Sequence, residues 1–388
     1  MIFLLLFALP ALALEVGVEV GWAGRAVVSA VNPLWLSLEN LDPQPFSGAI
    51  RVSAGIGSPW RGEARYTAEL PVFLAPFGRT RLVLPWPVPL GMTSLRVEAF
   101  AESGVVFARD FPLNLSAERL RAGLGPPPEP VDVLLSPLDF PTDPLLLWPF
   151  SKLFVGVPLS AGALAAVRAW AAFLGGTAEI STPCSVSFSS EAFFSHLRGQ
   201  RPSPPLWSAL VPGLLLYLFG LGPVLSRFAR GNTWVFLGFL VVFLAFSLFY
   251  GVFRETVAHI FLVFVDVECK SVDRFCLELC GAVSRREEAW GLPGFWVEVL
   301  PARGWEGLDV RWVYTPEGWR TEAGLTPGRP RFFLRLAEKP GPELAAEPSP
   351  PPNWLTQVLR LPWEEARVQR ALLSQKGHET EVWRVLLP

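Results

Sequence analysis

Polar and apolar residues alternate along the first part of the chain in short runs that turn residues separate. In SLRVEAF (94–100), three apolar side chains point to one side of an extended strand, and Arg96 and Glu98 point to the other. Similar runs recur at VGVEV (16–20), LWLSLEN (34–40), AIRVSA (49–54), ARYTAEL (64–70), TRLVL (80–84) and VVFARDF (105–111). About seven short strands with such punctuation predict an all-β, immunoglobulin-like sandwich over residues 15–115.

The pattern changes after the sandwich. A proline-rich linker is predicted for residues 116–130 because it contains GLGPPPEP. The apolar runs VDVLLSP (131–137) and KLFVGV (152–157) are typical of buried parallel strands. SAGALAAVRAWAAFLGG (160–176) has a helical composition, with Ser160 as its cap and two glycines at its end. These elements predict a small α/β domain over residues 131–200.

Two later segments, 206–225 and 234–253, contain no charged residue. Each has the length that a helix needs to cross the hydrocarbon core of a bilayer. Arg227 and Arg230 lie in the short loop between them, 226–233. The pattern predicts a two-helix transmembrane hairpin whose loop is cytoplasmic.

The first 14 residues form an apolar run that ends in Ala11-Leu12-Ala13. Such a run is typical of a secretory signal peptide. With an exported N-terminus, residues 15–205 and 254–388 lie outside the cytoplasm. The sequence therefore predicts a multi-pass protein of the cytoplasmic membrane with extracytoplasmic N- and C-terminal portions.

Alternation returns in the last third of the chain, for example in FLVFVDVEC (261–269). It predicts a β-rich extracytoplasmic domain over residues 254–338. A second proline-rich linker is predicted at residues 339–352. The remaining segment, 353–388, is predicted to hold a charged helix at WEEARVQRALLSQ (363–375) followed by a strand.

Composition narrows the chemistry that the chain can perform. Of its 388 residues, 51% are hydrophobic and 18% are charged, with a formal net charge of -2. This charge provides no electrostatic attraction to nucleic acid. The sequence lacks a P-loop pattern, and its three histidines, His196, His259 and His378, lack metal-ligand spacing. We therefore expect no cofactor and no metal. From the predicted membrane hairpin we expect a lipid bilayer and membrane or envelope proteins as partners.

The order of these elements resembles a family of uncharacterised bacterial membrane proteins often encoded near MoxR-type ATPases. The matching residues are WLSLENLDPQPFSGAIRV (35–52), SAGALAAVRAWAAFLGGTAEI (160–180) and LYLFGLGPVLSRFARGNTWVF (216–236), the last with a G-P-V motif of Gly222, Pro223 and Val224 followed by Trp234. The resemblance implies a signal peptide, a β-sandwich, a degenerate class I glutamine-amidotransferase-like domain and a membrane hairpin. It also implies an accessory or scaffold role near the cell envelope.

An active amidotransferase-like domain needs a cysteine on a strand-to-helix elbow, together with a histidine and an acid. The candidates are Cys184 as nucleophile, His196 as base and Glu191 as acid. Cys184 follows Pro183 and has no flanking glycine, so the elbow that this chemistry needs is missing. The sequence therefore favours a buried or incidental thiol at Cys184 and a surface histidine near the membrane at His196 over a catalytic site.

The other cysteines, Cys269, Cys276 and Cys280, have a C-x6-C-x3-C spacing that is a poor match to zinc sites. Outside the cytoplasm, disulfide bonds are the better interpretation. Cys276 and Cys280 could lie one helical turn apart, Cys269 could pair with Cys280, or Cys184 could pair with one of the three. The sequence leaves these pairings open, together with the alternative of four free thiols.

The leading functional interpretation is a non-catalytic, membrane-anchored envelope scaffold or accessory protein that presents extracytoplasmic β domains to protein partners. One alternative is a cysteine-dependent amidase or acyl transferase of the glutamine-amidotransferase-like type. Another is a ligand-binding sensor or transporter accessory, which predicts an apolar or Trp-lined pocket in a β domain.

Overall fold

The computed structural model describes residues 14–58, 62–138, 140–178, 184–200, 260–270, 272, 274–285, 287–299, 309–338, 347–375 and 378–387. Residues 1–13 of the predicted signal peptide and both predicted transmembrane segments lie outside these ranges. The same holds for the predicted hairpin-motif residues Gly222, Pro223, Val224, Arg227, Arg230 and Trp234.

The N-terminal region forms two layers of antiparallel strands around one core, which we call the sandwich core. The short sheet has the order β1-β3-β6 and consists of β1 (Leu14–Val20), β3 (Ala30–Asn40) and β6 (Arg79–Val88). The second layer contains β4 (Phe46–Ser58), β5 (Gly62–Leu74), β7 (Ser94–Ala101) and β8 (Gly104–Pro112). Leu34, Leu36 and Leu38 are buried, because every second residue of a strand faces the same side.

Strands from the C-terminal part of the chain extend the second layer. β19 (Asp309–Thr315) pairs in parallel with β5. The complete sheet, called the sandwich sheet, has the order β17-β20-β19-β5-β4-β7-β8, with β17 (Glu288–Pro293) and β20 (Gly318–Leu325). The sandwich is therefore built from two stretches of chain that are distant in sequence.

A parallel sheet follows the sandwich in sequence. It has the order β11-β10-β12-β13 and consists of β10 (Leu120–Leu124), β11 (Val133–Leu135), β12 (Phe150–Val155) and β13 (Thr177–Ala178). A 3-10 helix (Pro144–Leu147) and helix α1 (Ala161–Phe173) belong to the same region, and the Ser160 side chain caps α1 by accepting a hydrogen bond from the Ala163 N–H. β10 lies inside the predicted linker 116–130, where it buries Leu120, Ala122 and Leu124. Two small pairs complete this part, β2 (Ala26–Val27) with β9 (Leu115–Ser116), and β14 (Ser187–Phe188) with β23 (Leu359–Arg360).

The central sheet has the order β18-β21-β16-β15-β25-β24-β22. Its strands are β15 (Ile260–Cys269), β16 (Phe275–Ser284), β18 (Val297–Glu298), β21 (Arg331–Glu338), β22 (Glu347–Pro348), β24 (Arg367–Gln375) and β25 (His378–Leu387). The predicted helix at 363–375 is wrong, because residues 367–375 pair along their length with β25. Tertiary pairing here overrides a helical composition.

The two faces of the central sheet contact different cores. Val265 and Val267 face the helix-side core, which includes α1, α2 (Ser190–Gly199) and α3 (Asn353–Val358). Cys280 and Phe333 face the sandwich core on the other side. The central sheet therefore holds the sandwich and the α/β region together.

The predicted fold class, separate domains around a two-helix transmembrane hairpin, is wrong for the part of the chain that the structure describes. That part consists mostly of β-strands, and strands from both ends of the chain share one sheet. None of its helices is long and apolar enough to cross a membrane. The predicted multi-pass membrane localisation is corrected for the same reason.

Candidate functional sites

Cys184, the predicted nucleophile, lies between α1 and β14 in the helix-side core. Its thiol is hydrogen-bonded to the thiol of Cys269 at the end of β15. This hydrogen bond, and burial after it, raise the pKa of Cys184 far above its usual value. Because a thiolate is the reactive form of cysteine, a thiol that keeps its proton so strongly is a poor nucleophile.

His196, the predicted base, lies on α2 and stacks on Trp354 of α3, with ring centroids 3.9 Å apart. Burial lowers the pKa of His196 to about 4. Glu191 is exposed in the first turn of the same helix. Five helical positions separate Glu191 from His196, so the two side chains point to different sides of α2. The structure thus brings Cys184 to Cys269 and His196 to Trp354, and it does not assemble a nucleophile, base and acid.

Cys276 and Cys280 lie on β16, and Cys276 Sγ is 3.6 Å from the carbonyl oxygen of Ala337. The predicted helical turn between these cysteines is wrong, because β16 is a strand. Four residues of strand span about 13 Å, which exceeds the roughly 7 Å between Cα atoms that a disulfide can bridge.

A row of charged side chains crosses the face of the central sheet opposite Cys269. Arg335, Glu278, Asp266 and Arg384 are cross-strand partners on β21, β16, β15 and β25. We call these four residues, with Glu268, the charged row. Arg335 forms an ion pair with Glu278, and Arg384 Nε donates to Glu268 Oε1 over 2.6 Å. Arg335 also donates to the Pro293 carbonyl (2.8 Å).

The charged row holds three carboxylates and two guanidinium groups, so one carboxylate lacks a matching cation within it. Asp266 is this group. Burial first, and then the neighbouring Glu278, raise the pKa of Asp266 to about 7, against the opposing effect of Arg384 and Arg335. Asp266 therefore changes its charge near neutral pH. Within the described ranges, no group of three or more His, Cys, Asp and Glu side chains is placed to hold a metal ion.

A fully buried ion pair lies further along the same face of β21. Arg331 Nε and Nη2 donate to the two carboxylate oxygens of Glu298, each over 2.7 Å. Arg331 Nη1 also donates to the Gly324 carbonyl over 2.6 Å. The ion pair joins β21 to β18 within the central sheet, and the hydrogen bond to Gly324 of β20 connects this sheet to the sandwich.

One end of the sandwich exposes large apolar side chains. Leu41, after β3, is 47% exposed, and Phe73 and Phe77, around the turn from β5 to β6, are 71% and 66% exposed. We call Leu41, Phe73 and Phe77 the sandwich tip. Phe77 has a φ of 54°, a left-handed conformation that is uncommon for a bulky residue.

Asn40 fixes the two loops of the sandwich tip to each other. Its side chain is buried, donates to the carbonyl oxygens of Gln44 (2.7 Å) and Ala75 (3.1 Å), and accepts from the Asp42 N–H (3.1 Å). The Phe77 N–H in turn donates to the Asp42 carbonyl over 3.3 Å. The exposed apolar side chains therefore project from a hydrogen-bonded frame.

The predicted Trp-lined ligand pocket is not seen in the described part of the sandwich, where Trp86 and Trp312 are buried in the core. A shallow groove on the outer face of the short sheet is lined mainly by polar residues, among them Glu15, Ser37 and Arg81. The tryptophans described here stabilise the core, which is the commoner use of this residue.

Neither the charged row nor the sandwich tip was among the sites predicted from the sequence. The signal for the row is the presence of three acids, Asp266, Glu268 and Glu278, inside otherwise apolar strands. The signal for the tip is the spacing of Phe73 and Phe77 on either side of Ala75-Pro76, a turn sequence.

Comparison with known proteins gives no family for the chain: no family model and no curated protein match it. Among solved structures, the CARDB domain of a Pyrococcus furiosus protein, in complex with di-metal ions, is 14% identical, and the match covers 27% of this chain and 89% of that one with a TM-score of 0.20. A Paenibacillus sp. cycloisomaltooligosaccharide glucanotransferase is 10% identical, with coverage of 42% and 27% and a TM-score of 0.22. The Pseudomonas fluorescens alkylpurine DNA glycosylase AlkC is 14% identical, with coverage of 27% and 30% and a TM-score of 0.20. TM-scores this low support no argument about fold or function, and the resemblance to the MoxR-associated family stays a prediction.

Proposed function

We propose that this chain is a non-catalytic scaffold or accessory protein that binds a protein partner through the sandwich tip. The observation that carries the proposal is the exposure of Phe73 and Phe77, at 71% and 66%, beside Leu41 at one end of a rigid β-sandwich. Exposed clusters of large apolar side chains often mark protein interaction surfaces. Aromatic residues are also frequent among those that contribute most to binding energy.

The backbone at the tip supports the same interpretation. A left-handed conformation costs a non-glycine residue about 1–2 kcal/mol, and Phe77 adopts one while its ring remains in solvent. Strain of this kind tends to occur at functional positions. The frame around Asn40 holds the two loops before a partner arrives, which lowers the entropy cost of binding.

The chemistry of the tip also indicates the kind of partner. The charged side chains beside the tip are already engaged: Asp42 Oδ1 accepts from the Gln44 N–H over 2.9 Å, and Arg79 and Glu39 form an ion pair at 2.5 Å. Pro43, Pro45 and Pro76 add exposed, rigid surface between the tip residues. We therefore expect a partner protein with an apolar pocket that accepts phenylalanine rings.

Site-specific photo-crosslinking tests this proposal in the native host. A photoreactive phenylalanine derivative replaces Phe77 in one chain and Leu90 in a matched control. Leu90 is 77% exposed in the turn after β6, at the opposite end of the sandwich. We expect one discrete adduct with a different protein from position 77, and none from position 90.

Phe73→Ser in the position-77 chain should reduce the adduct at least about tenfold, which corresponds to about 1.4 kcal/mol of binding free energy. Equal labelling from positions 77 and 90, no adduct at all, or an adduct only between two copies of this chain would each contradict the proposal.

A further inference from the structure

We propose that Cys184 and Cys269 form a reversible disulfide bond, which makes this pair a site of redox modification. Their thiols are already hydrogen-bonded, although the residues are far apart in sequence. Both belong to the helix-side core, with exposures of 6% for Cys184 and 0% for Cys269. The bond would join the segment after α1 to the end of β15 in the central sheet.

Geometry eliminates the other pairings left open by the sequence. Cys276 and Cys280 lie on β16 at a separation of about 13 Å along the strand. Cys280 is the cross-strand partner of Phe264. Cys269 is an odd number of positions further along β15, so its side chain emerges on the other face of the sheet. The sheet backbone therefore separates Cys269, and Cys184 beside it, from both cysteines of β16.

The oxidant for this reaction is a low-molecular-weight disulfide, RSSR. The thiolate of Cys184, the more exposed residue, attacks one sulfur of RSSR, which breaks the S–S bond and releases one thiolate, RS⁻. The thiolate of Cys269 then attacks the Cys184 sulfur of the mixed disulfide and releases the second RS⁻. The two protons lost by the cysteines convert the leaving groups into two RSH molecules, so the protein loses two electrons and RSSR gains them.

The environment of Cys184 also determines how the rate of oxidation depends on pH. Because the hydrogen bond to Cys269 and burial keep Cys184 protonated, the first step should be slow at neutral pH and faster in alkaline solution. The same two steps run backwards with an excess of a small thiol, so the modification is reversible.

The test uses the full chain, purified with its thiols reduced and then incubated with oxidised glutathione or with buffer. Alkylation under denaturing conditions followed by peptide mass spectrometry locates the thiols that have reacted. We expect Cys184 and Cys269 to lose labelling together and to appear in one linked peptide pair, while Cys276 and Cys280 stay labelled. Cys184→Ser should abolish the link, and Cys276→Ser should leave it intact.

Cys269→Ala, which suits an apolar core, provides a second test if Cys184→Ser folds poorly. Four labelled cysteines after prolonged oxidation would overturn the proposal. A Cys276–Cys280 link, or a stable glutathione adduct on Cys184 without the internal bond, would also overturn it. None of these outcomes depends on partner binding at the sandwich tip.

Discussion

The sandwich tip and the charged row differ in which side chains they expose and which they bury. The tip places apolar rings in solvent on a frame of neutral hydrogen bonds around Asn40. The row places charges on a half-buried sheet face, where Arg335 pairs with Glu278 and Asp266 lacks a matching cation. The side chains of Leu41, Phe73 and Phe77 have no titratable group, whereas Asp266 in the row gains or loses a proton near neutral pH. The tip is therefore suited to bind a protein, whereas the row makes the stability of the fold depend on pH.

Asn40→Ala should have the largest effect on stability, and it should also loosen the two loops of the sandwich tip. It leaves two carbonyl oxygens and one N–H without their partner, which should cost about 2–4 kcal/mol of unfolding free energy. Chemical denaturation measures this loss, and amide hydrogen exchange at Asp42 and Phe77 reports the loosened tip.

Asn32 provides a matched control for the Asn40 variant, because it is buried on the same strand and bonds to Val27. Asn32→Ala should cost a similar amount of stability and leave exchange at Asp42 and Phe77 unchanged. If both variants change exchange at the tip equally, Asn40 is not the residue that fixes its loops.

Arg335→Met should be the next largest change. It removes the cation paired with Glu278 and the hydrogen bond to Pro293, which should cost about 1.5–3 kcal/mol because Glu278 remains mostly buried. The loss of Arg335 should also raise the pKa of Asp266 further. A stability change below about 0.5 kcal/mol would show that solvent already screens the row.

Asp266→Asn should remove a pH dependence from stability. The pKa of Asp266 is raised in the folded state from its usual value of 3.8 to about 7, so protonation of Asp266 favours the folded state. The wild-type chain should therefore lose stability through this group as pH rises from about 4 to about 7. The variant should lack this contribution in urea unfolding series between pH 4 and 8. If the unfolding free energies of the two chains changed with pH in the same way, this prediction would be contradicted.

Phe77→Gly should have the smallest effect on stability and should separate folding from binding. Glycine adopts a positive φ without strain, so stability should stay within about 1 kcal/mol of wild type. The same variant removes an exposed ring and should weaken crosslinking from a probe placed at Phe73. A larger loss of stability would show that the Phe77 ring packs within the fold.

Alternation alone was enough to predict most strands of the sandwich. SLRVEAF forms β7 with Leu95 and Val97 buried. Alternation defines which face of a strand is buried, but it carries no information about the neighbouring strand. The sequence pattern therefore could not predict that β19 pairs in parallel with β5. It also could not predict that the sandwich sheet continues into strands from the C-terminal part of the chain.

The sites were harder to predict than the strands. The contact between Cys184 and Cys269 depends on how α1 and the central sheet pack, which spacing along the chain cannot give. The pKa of Asp266 depends on Glu278 and Arg384, which only strand register brings beside it. The predicted helix at 363–375 was wrong because the pairing of residues 367–375 with β25, rather than local composition, determines their structure.

The most direct test of this account is the affinity of the partner captured at position 77 for four purified chains: wild type, Phe73→Ser/Phe77→Ser, Leu90→Ser and Asp266→Asn. We predict that the tip variant binds at least tenfold more weakly, a loss of about 1.4 kcal/mol or more. The Leu90 and Asp266 variants should bind within about twofold of wild type, which is about 0.4 kcal/mol. Equal weakening in the tip and Leu90 variants, or full affinity in the tip variant, would contradict the assignment of the sandwich tip as the binding surface.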